Sequence, residues 1–178
     1  FIHAYFQVTS IMSSTGFATF EYNDWPSLSK TIIVALMFIG ACAGSTGGGF
    51  KVSRVIILFK QCIRSIQVSI RPRSVKTIQM DGKTIDNSLL TSVNNYLIAY
   101  IFIIIISVLI ISIDNFDFAT NFSAVMATFN NIGPGLNLVS PSGNFSMFSD
   151  LSKYVLMFDM LAGRLEIYPM LVLFSKDT

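Results

Sequence analysis

From Tyr96 to Ile113 the chain reads YLIAYIFIIIISVLIISI, eighteen residues without a charge. At 1.5 Å per residue, a helix of that length covers most of a ~30 Å hydrocarbon core. Ser107 and Ser112 do not interrupt it, because a helical serine returns its hydroxyl to a carbonyl of the preceding turn. Asn94, Asn95 and Asp114 are expected to mark the two ends. Composition points the same way. Apolar residues make up 52% of the 178 and charged residues 12%, about half the ~25% of an average soluble domain. So few charges do not cover a water-facing surface, and the chain reads as an all-α integral membrane protein. Only two cysteines are present, Cys42 and Cys62, both in apolar stretches, which excludes a disulfide-stapled secreted scaffold. With a single histidine, a metal centre built from His and Cys clusters is excluded too.

Two further spans are expected. One starts near Leu28, runs LSKTIIVALMFIGACAG, breaks at Ser45-Thr46-Gly47-Gly48-Gly49 and resumes from Phe50 to about Ile66. Three consecutive glycines each lose about 1 kcal/mol of helix propensity against alanine. A break at membrane depth is tolerated only where the backbone is buried in protein or lines water, so the break is a functional candidate. The other span, Leu151 to Phe174, carries Asp159, Arg164 and Glu166 well inside and a kink-forming Pro169. Charges there cost about 2.5–3.5 kcal/mol each facing lipid, so they are expected to face a bundle interior or an aqueous path. Eight of the twelve basic residues lie between Lys51 and Lys83, opposed only by Asp81. The positive-inside rule places that connector in the cytoplasm. Three segments follow: 1–66, the basic connector 67–90, and 91–178. The chain opens in mid-pattern at Phe1-Ile2-His3 and reads as a piece of a longer protein.

Phe1 to Met12 and Phe118 to Phe129 are apolar but too short to cross, the length of re-entrant helices. The first runs into Ser13-Ser14-Thr15-Gly16, the second into Asn130-Asn131-Ile132-Gly133. Aligning Gly16 with Gly133 gives an offset of 117; aligning Gly44 with Gly163 gives 119. Two anchors that agree this closely point to an internal repeat of short helix, glycine loop and span. A half-helix that stops inside the membrane directs its last carbonyls toward the centre. Glycine lets the following loop turn its own carbonyls, and rings of carbonyls replace a cation's hydration shell.

SSTGFAT (13–19) before Trp25-Pro26, then GACAGSTGGGFKV (40–52), ATFNNIGPGL (127–136) and AGRLEIYP (162–169) together resemble the TrkH-type potassium uptake proteins of the Trk/Ktr/HKT superfamily. The resemblance covers nearly the whole chain. It implies a fold of repeats, each a span, a re-entrant pore helix with a filter loop, and a second span, four of them around one pore. This chain would supply the end of the third repeat and all of the fourth. Ser14, Thr15 and Gly16, and Asn131, Ile132 and Gly133, would then be two of four filter segments holding K⁺ by backbone carbonyls. Gly44, Ser45, Thr46, Gly47, Gly48 and Gly49 would be the intramembrane gating loop, and Arg164 a pore-facing charge. The resemblance further implies K⁺ or Na⁺ as the transported ion with no bound cofactor and a multi-pass place in the bacterial inner membrane among lipid. Its partners would be a second copy of the chain and a cytosolic nucleotide-binding regulator of the RCK type, and no nucleic acid. The first filter reads Ser-Ser-Thr where many relatives have Thr-Thr-Thr, of little consequence if backbone carbonyls coordinate.

Other readings fare less well. Gly44 to Lys51 as a phosphate loop lacks the adjacent Gly-Lys-Ser/Thr. His3 has no Ser, Cys or Asp at a spacing that makes a triad. Asp159, Arg164 and Glu166 are compatible with a proton relay of a secondary transporter or with a structural ion pair. A membrane structural or signalling protein has no need of two re-entrant glycine loops. The sequons at Asn121 and Asn144 are read as chance matches.

Overall fold

The computed structural model describes residues 1–40, 48–71, 77–80 and 83–165. Six helices dominate: α1 (Ile2–Met12), α2 (Ser27–Phe38), α3 (Val52–Ile70), α4 (Asn87–Ile111), α5 (Phe118–Phe129) and α6 (Asp150–Leu165). Two-residue strands form two small pairs, β1 (Ile39–Gly40) parallel to β2 (Phe50–Lys51), and β3 (Gln79–Met80) antiparallel to β4 (Lys83–Thr84). The chain is mostly helical rather than purely so.

The long helix starts nine residues before the apolar run from Tyr96. Asp86 accepts from the Asn87 N–H at 2.8 Å, and with neither Gly nor Pro from 87 to 111 the helix continues unbroken. Asn94 and Asn95 therefore lie inside α4 and do not mark its end. With the turn Ser112–Asp114 it is long and apolar enough to cross a membrane, and only 28% of its most apolar window is buried. Ile98, Ile101, Phe102, Ile105 and Leu109 form an open apolar face, as a lipid-facing surface requires. Among the described residues no other helix meets that test of length and composition. Of the three expected spans, one is found in full. The described part of the last ends at Leu165, and Glu166 and Pro169 lie outside the described residues.

The broken span breaks sooner than its sequence indicates. α2 ends at Phe38, where Ile39 turns extended (φ −88°, ψ 94°), instead of running on to Gly44. The cause is a non-local pairing, Ile39 with Phe50 and Gly40 with Lys51. Gly40 packs so closely on the Gly48 carbonyl that a Cβ there would lie 2.6 Å from it.

α5 occupies the middle of the fold. From Thr120 to Phe129 only Phe122 is not fully buried, because α4 and α6 flank it. Tyr100 of α4 sets its ring edge-on to Phe129 at 4.9 Å and to Phe38 of α2 at 5.3 Å. A second buried cluster, Ile11, Tyr22, Ile33, Met37 and Ile132, joins the N-terminal unit (α1, α2) to the C-terminal one (α5, α6).

Candidate functional site

α1 and α5 end in the same way. After α1, Ser14 takes a left-handed conformation (φ +54°), and after α5, Asn131 does (φ +55°). The Ser14 N–H reaches the Ile11 carbonyl (3.1 Å), and the Thr15 and Gly16 N–H groups reach that of Ser10 (2.9 and 3.5 Å). In α5 the Asn131 N–H reaches Thr128 (3.0 Å), and those of Ile132 and Gly133 reach Ala127 (2.8 and 3.3 Å). Every donor and acceptor is displaced by 117 residues. This is the Schellman closure, in which a left-handed residue returns orphan carbonyls to backbone donors. Gly16 and Gly133 follow at φ +76° and +106°.

These two loops also touch. A Cβ on Gly16 would lie 1.9 Å from the Ile132 carbonyl oxygen. The structure thus brings the loop of Ser14, Thr15 and Gly16 against that of Asn131, Ile132 and Gly133 at one point, where Gly16 lies on Ile132. A cavity of about 380 Å³ opens against the pair, lined by Gly16, Phe17, Gly133, Pro134, Ser140 and Phe145.

On the other side, three glycines converge on the end of α5. Gly48 presses on the Asn130 carbonyl and the Asn131 amide, a Cβ there being 2.9 Å from each. Gly49 lies against Asn130 Oδ1, and Gly163 of α6 against the Phe129 carbonyl. Asn130 is fixed from within, accepting from the Tyr100 hydroxyl at 2.8 Å and donating to the Met126 carbonyl at 2.8 Å. Asn131 donates to the Met160 carbonyl of α6 at 3.0 Å. Gly44, Ser45, Thr46 and Gly47 lie outside the described residues.

Arg164 is exposed in the last turn of α6, next to Gly163. Asp159 is fully buried, and its Oδ1 accepts from the Ser107 hydroxyl of α4 at 2.8 Å, so Ser107 spends its hydroxyl across the fold, whereas Ser112 returns its own to the Val108 carbonyl as expected. Its Oδ2 has no hydrogen-bond partner among the described residues. The pairing of Asp159 with Arg164 is therefore not formed. Five residues apart on a helix, the two project about 140° apart. His3 is exposed, its ring nitrogen 3.3 Å from Thr19 Oγ1. Asn121, in the first sequon, is buried on α5 and donates to the Phe116 carbonyl at 3.2 Å, which makes it no surface acceptor.

The start of α5 is held by Asp117. Its carboxylate accepts from the Thr120 hydroxyl, from the Thr120 N–H at 3.1 Å and from the Asn137 amide at 2.7 Å. The Thr120 hydroxyl above all, with the Asn137 amide, outweighs the effect of burial and keeps this carboxyl below its ordinary value. A depressed folded pKa means the stabilisation is complete above about pH 4 and is lost as pH falls through the lower folded value. Asp117→Ala removes an N-cap and is expected to cost about 1 kcal/mol. In detergent melts between pH 3 and 7, the wild type should lose stability on the acid side while the Asp117→Ala melt changes less. Parallel pH profiles would count against the cap.

The Tyr100–Asn130 pair carries much of this geometry and is not visible from sequence reasoning, since the two residues lie 30 apart in the chain. A mostly helical chain with one lipid-length helix and two matched half-length helices belongs among membrane transport proteins. It is a member of the TrkH family of cation transport proteins, whose model matches residues 1–178. It is 38% identical over 172 residues to the Trk system potassium uptake protein TrkH of Escherichia coli K12, covering 97% of this chain and 35% of that protein. To the Trk system potassium uptake protein TrkI of Halomonas elongata it is 30% identical over 175 residues, 96% of this chain and 35% of that one. The crystal structure of the potassium transporter TrkH from Vibrio parahaemolyticus superposes with a TM-score of 0.88 at 38% identity, covering 97% of this chain and 36% of that one. The chain thus spans about a third of the length of these relatives.

Proposed function

We propose that this chain supplies the end of the third and the whole of the fourth repeat of a potassium-conducting pore in a bacterial inner membrane. The observation that carries the reading is the duplicated helix end. Two half-length helices close with the same bonds at an offset of 117, and the glycine of one loop rests on the carbonyl of the other. Backbone carbonyls of residues 14–16 and 131–133 hold K⁺ in place of its water. The relatives' names, potassium uptake proteins, support K⁺ as the ion. The open apolar face of α4 meets lipid, and the bases between Lys51 and Lys83 lie on the cytoplasmic side. A homodimer with an RCK-type nucleotide-binding regulator completes the assembly. The test is rubidium uptake by the full-length protein in cells lacking other uptake systems. Uptake restored by the wild type supports the reading, and none at normal membrane expression sinks it.

The segment Gly44 to Gly49 gates the pathway. Its end, Gly48 and Gly49, packs under α5 at the level where Gly163 also meets it, and Arg164 follows Gly163 on the exposed side. A guanidinium at that level repels cations and offers five donors to loop carbonyls. Deleting Ser45 to Gly48, or Arg164→Ala, is expected to raise maximal cation flux several-fold with selectivity largely kept. Flux per folded molecule is the measurement. Unchanged or reduced flux in both variants at normal yield would refute the gate.

A further inference from the structure

Three consecutive residues of the N-terminal unit, Glu21, Tyr22 and Asn23, all bind the stretch that follows the glycine loop of the C-terminal unit. Tyr22 is fully buried, and its hydroxyl donates to the Gly135 carbonyl at 2.7 Å, two residues beyond Gly133. Asn23 Oδ1 accepts from the Asn137 N–H at 3.1 Å. Glu21 Oε2 accepts from the Ser142 N–H at 3.2 Å, from the Ser142 hydroxyl at 2.5 Å and from that of Ser140 at 3.2 Å. Burial works against the charge on Glu21, but the bonds from Ser142, Asn23 and Ser140 hold its carboxyl below the ordinary value.

The gripped stretch is also anchored within its own unit. Ser123 of α5 accepts from the Leu136 N–H at 2.8 Å, and the Gly135 N–H reaches the Val139 carbonyl at 2.7 Å. Asn137, left-handed at φ +52°, donates to Asp117 at the start of α5. The backbone just past Gly133 is therefore clamped between its own short helix and the neighbouring unit. Tyr22 further shares a buried cluster with Ile132, a residue of the loop itself.

We infer that Tyr22, supported by Glu21 and Asn23, is a positioning residue for ion selection, fixing the C-terminal unit's glycine loop against that of the N-terminal unit. The inference rests on the reading of residues 14–16 and 131–133 as filter segments. An ion site built from preorganised groups holds them within about 0.5 Å of the productive geometry, which requires a supporting shell that does not yield. The Gly16–Ile132 contact joins the two loops at the site, and the Tyr22–Gly135 bond fixes them just beyond it. Without the hydroxyl, the Gly135 carbonyl loses a buried donor and the loop relaxes. The ring keeps its place in the buried cluster with Ile11, Ile33 and Met37, so the fold survives.

The experiment uses the full-length protein in proteoliposomes and measures folded yield and the initial rates of Rb⁺ and Na⁺ entry. Tyr22→Phe is expected to keep its yield and its Rb⁺ rate within about twofold while the Na⁺/Rb⁺ ratio rises about three- to tenfold, the worth of one buried hydrogen bond. Glu21→Gln should shift the ratio the same way by less, and Tyr154→Phe, an exposed tyrosine on α6, should not shift it. If Tyr22→Phe folds poorly, Asn23→Ala decides by the same ratio. A wild-type ratio in a well-folded variant overturns the inference while leaving the pore reading intact. A loss of yield and of both rates with the ratio unchanged, in Tyr22→Phe and Asn23→Ala alike, makes the clamp merely structural and overturns it as well. A wild-type protein that passes neither ion removes the pore reading and this inference with it.

Discussion

Gly16→Ala is expected to disable the full-length transporter far more than Gly133→Ala, although the two glycines occupy matching places. Both are at positive φ, +76° and +106°, where a side chain adds about 1–3 kcal/mol of strain. Among the described residues nothing lies within 4 Å of a Cβ added at Gly133, so strain is the effect expected there. At Gly16 the new methyl would stand 1.9 Å from the Ile132 carbonyl oxygen. That oxygen belongs to backbone closed by the bonds from Ile132 and Gly133 to Ala127 and has no flexible end to swing away. The clash therefore displaces the neighbouring loop itself. Gly133→Ala should keep a measurable part of wild-type Rb⁺ flux with weakened discrimination against Na⁺. Gly16→Ala should lose most flux, discrimination or both at comparable folded yield. Equal, wild-type behaviour of the two variants would mean these loops do not line the ion path.

The second large effect is expected at Gly163. Intrinsic propensity alone favours alanine there by about 1 kcal/mol, since the residue is inside a helix. Geometry opposes it, because the Cβ would fall 1.7 Å from the Phe129 carbonyl oxygen. Overpacking of this kind costs about 1–3 kcal/mol and sometimes more, and here the obstacle is backbone. Gly163→Ala should therefore lower the thermal midpoint and the folded yield in detergent, reversing the sign that propensity gives. Leu161→Ala, two residues away on the exposed side of α6, serves as the comparison and should change little. A midpoint raised by Gly163→Ala would show that α6 does not rest on the end of α5.

The short helices and their offset are legible in the sequence because they depend on local signals. Phe118 to Phe129 is apolar, is preceded by Asp117 and ends in Asn-Asn-Ile-Gly, and α5 takes those bounds. α1 begins one residue inside its apolar run. What the sequence does not display is decided by contacts across the fold. Nothing in the apolar run from Thr31 to Cys42 announces that Ile39 will leave the helix to pair with Phe50. Asn94 and Asn95 read as an end, yet the helix is capped further back by Asp86 and α4 absorbs them. Asp159 and Arg164 look like one cluster in a line of letters, and helical geometry separates them. The ties of residues 21–23 to residues 135–142 have no pattern at all in one dimension.

The β1–β2 pair has a mechanical consequence. With Ile39 beside Phe50 and Gly40 beside Lys51, the end of α2 is tied directly to the start of α3. Gly40, Gly48 and Gly49 take part in that tie, Gly40 resting on the Gly48 carbonyl and Gly48 and Gly49 on Asn130, so a bulkier residue at any of them pushes on α2, α3 and the end of α5 at once.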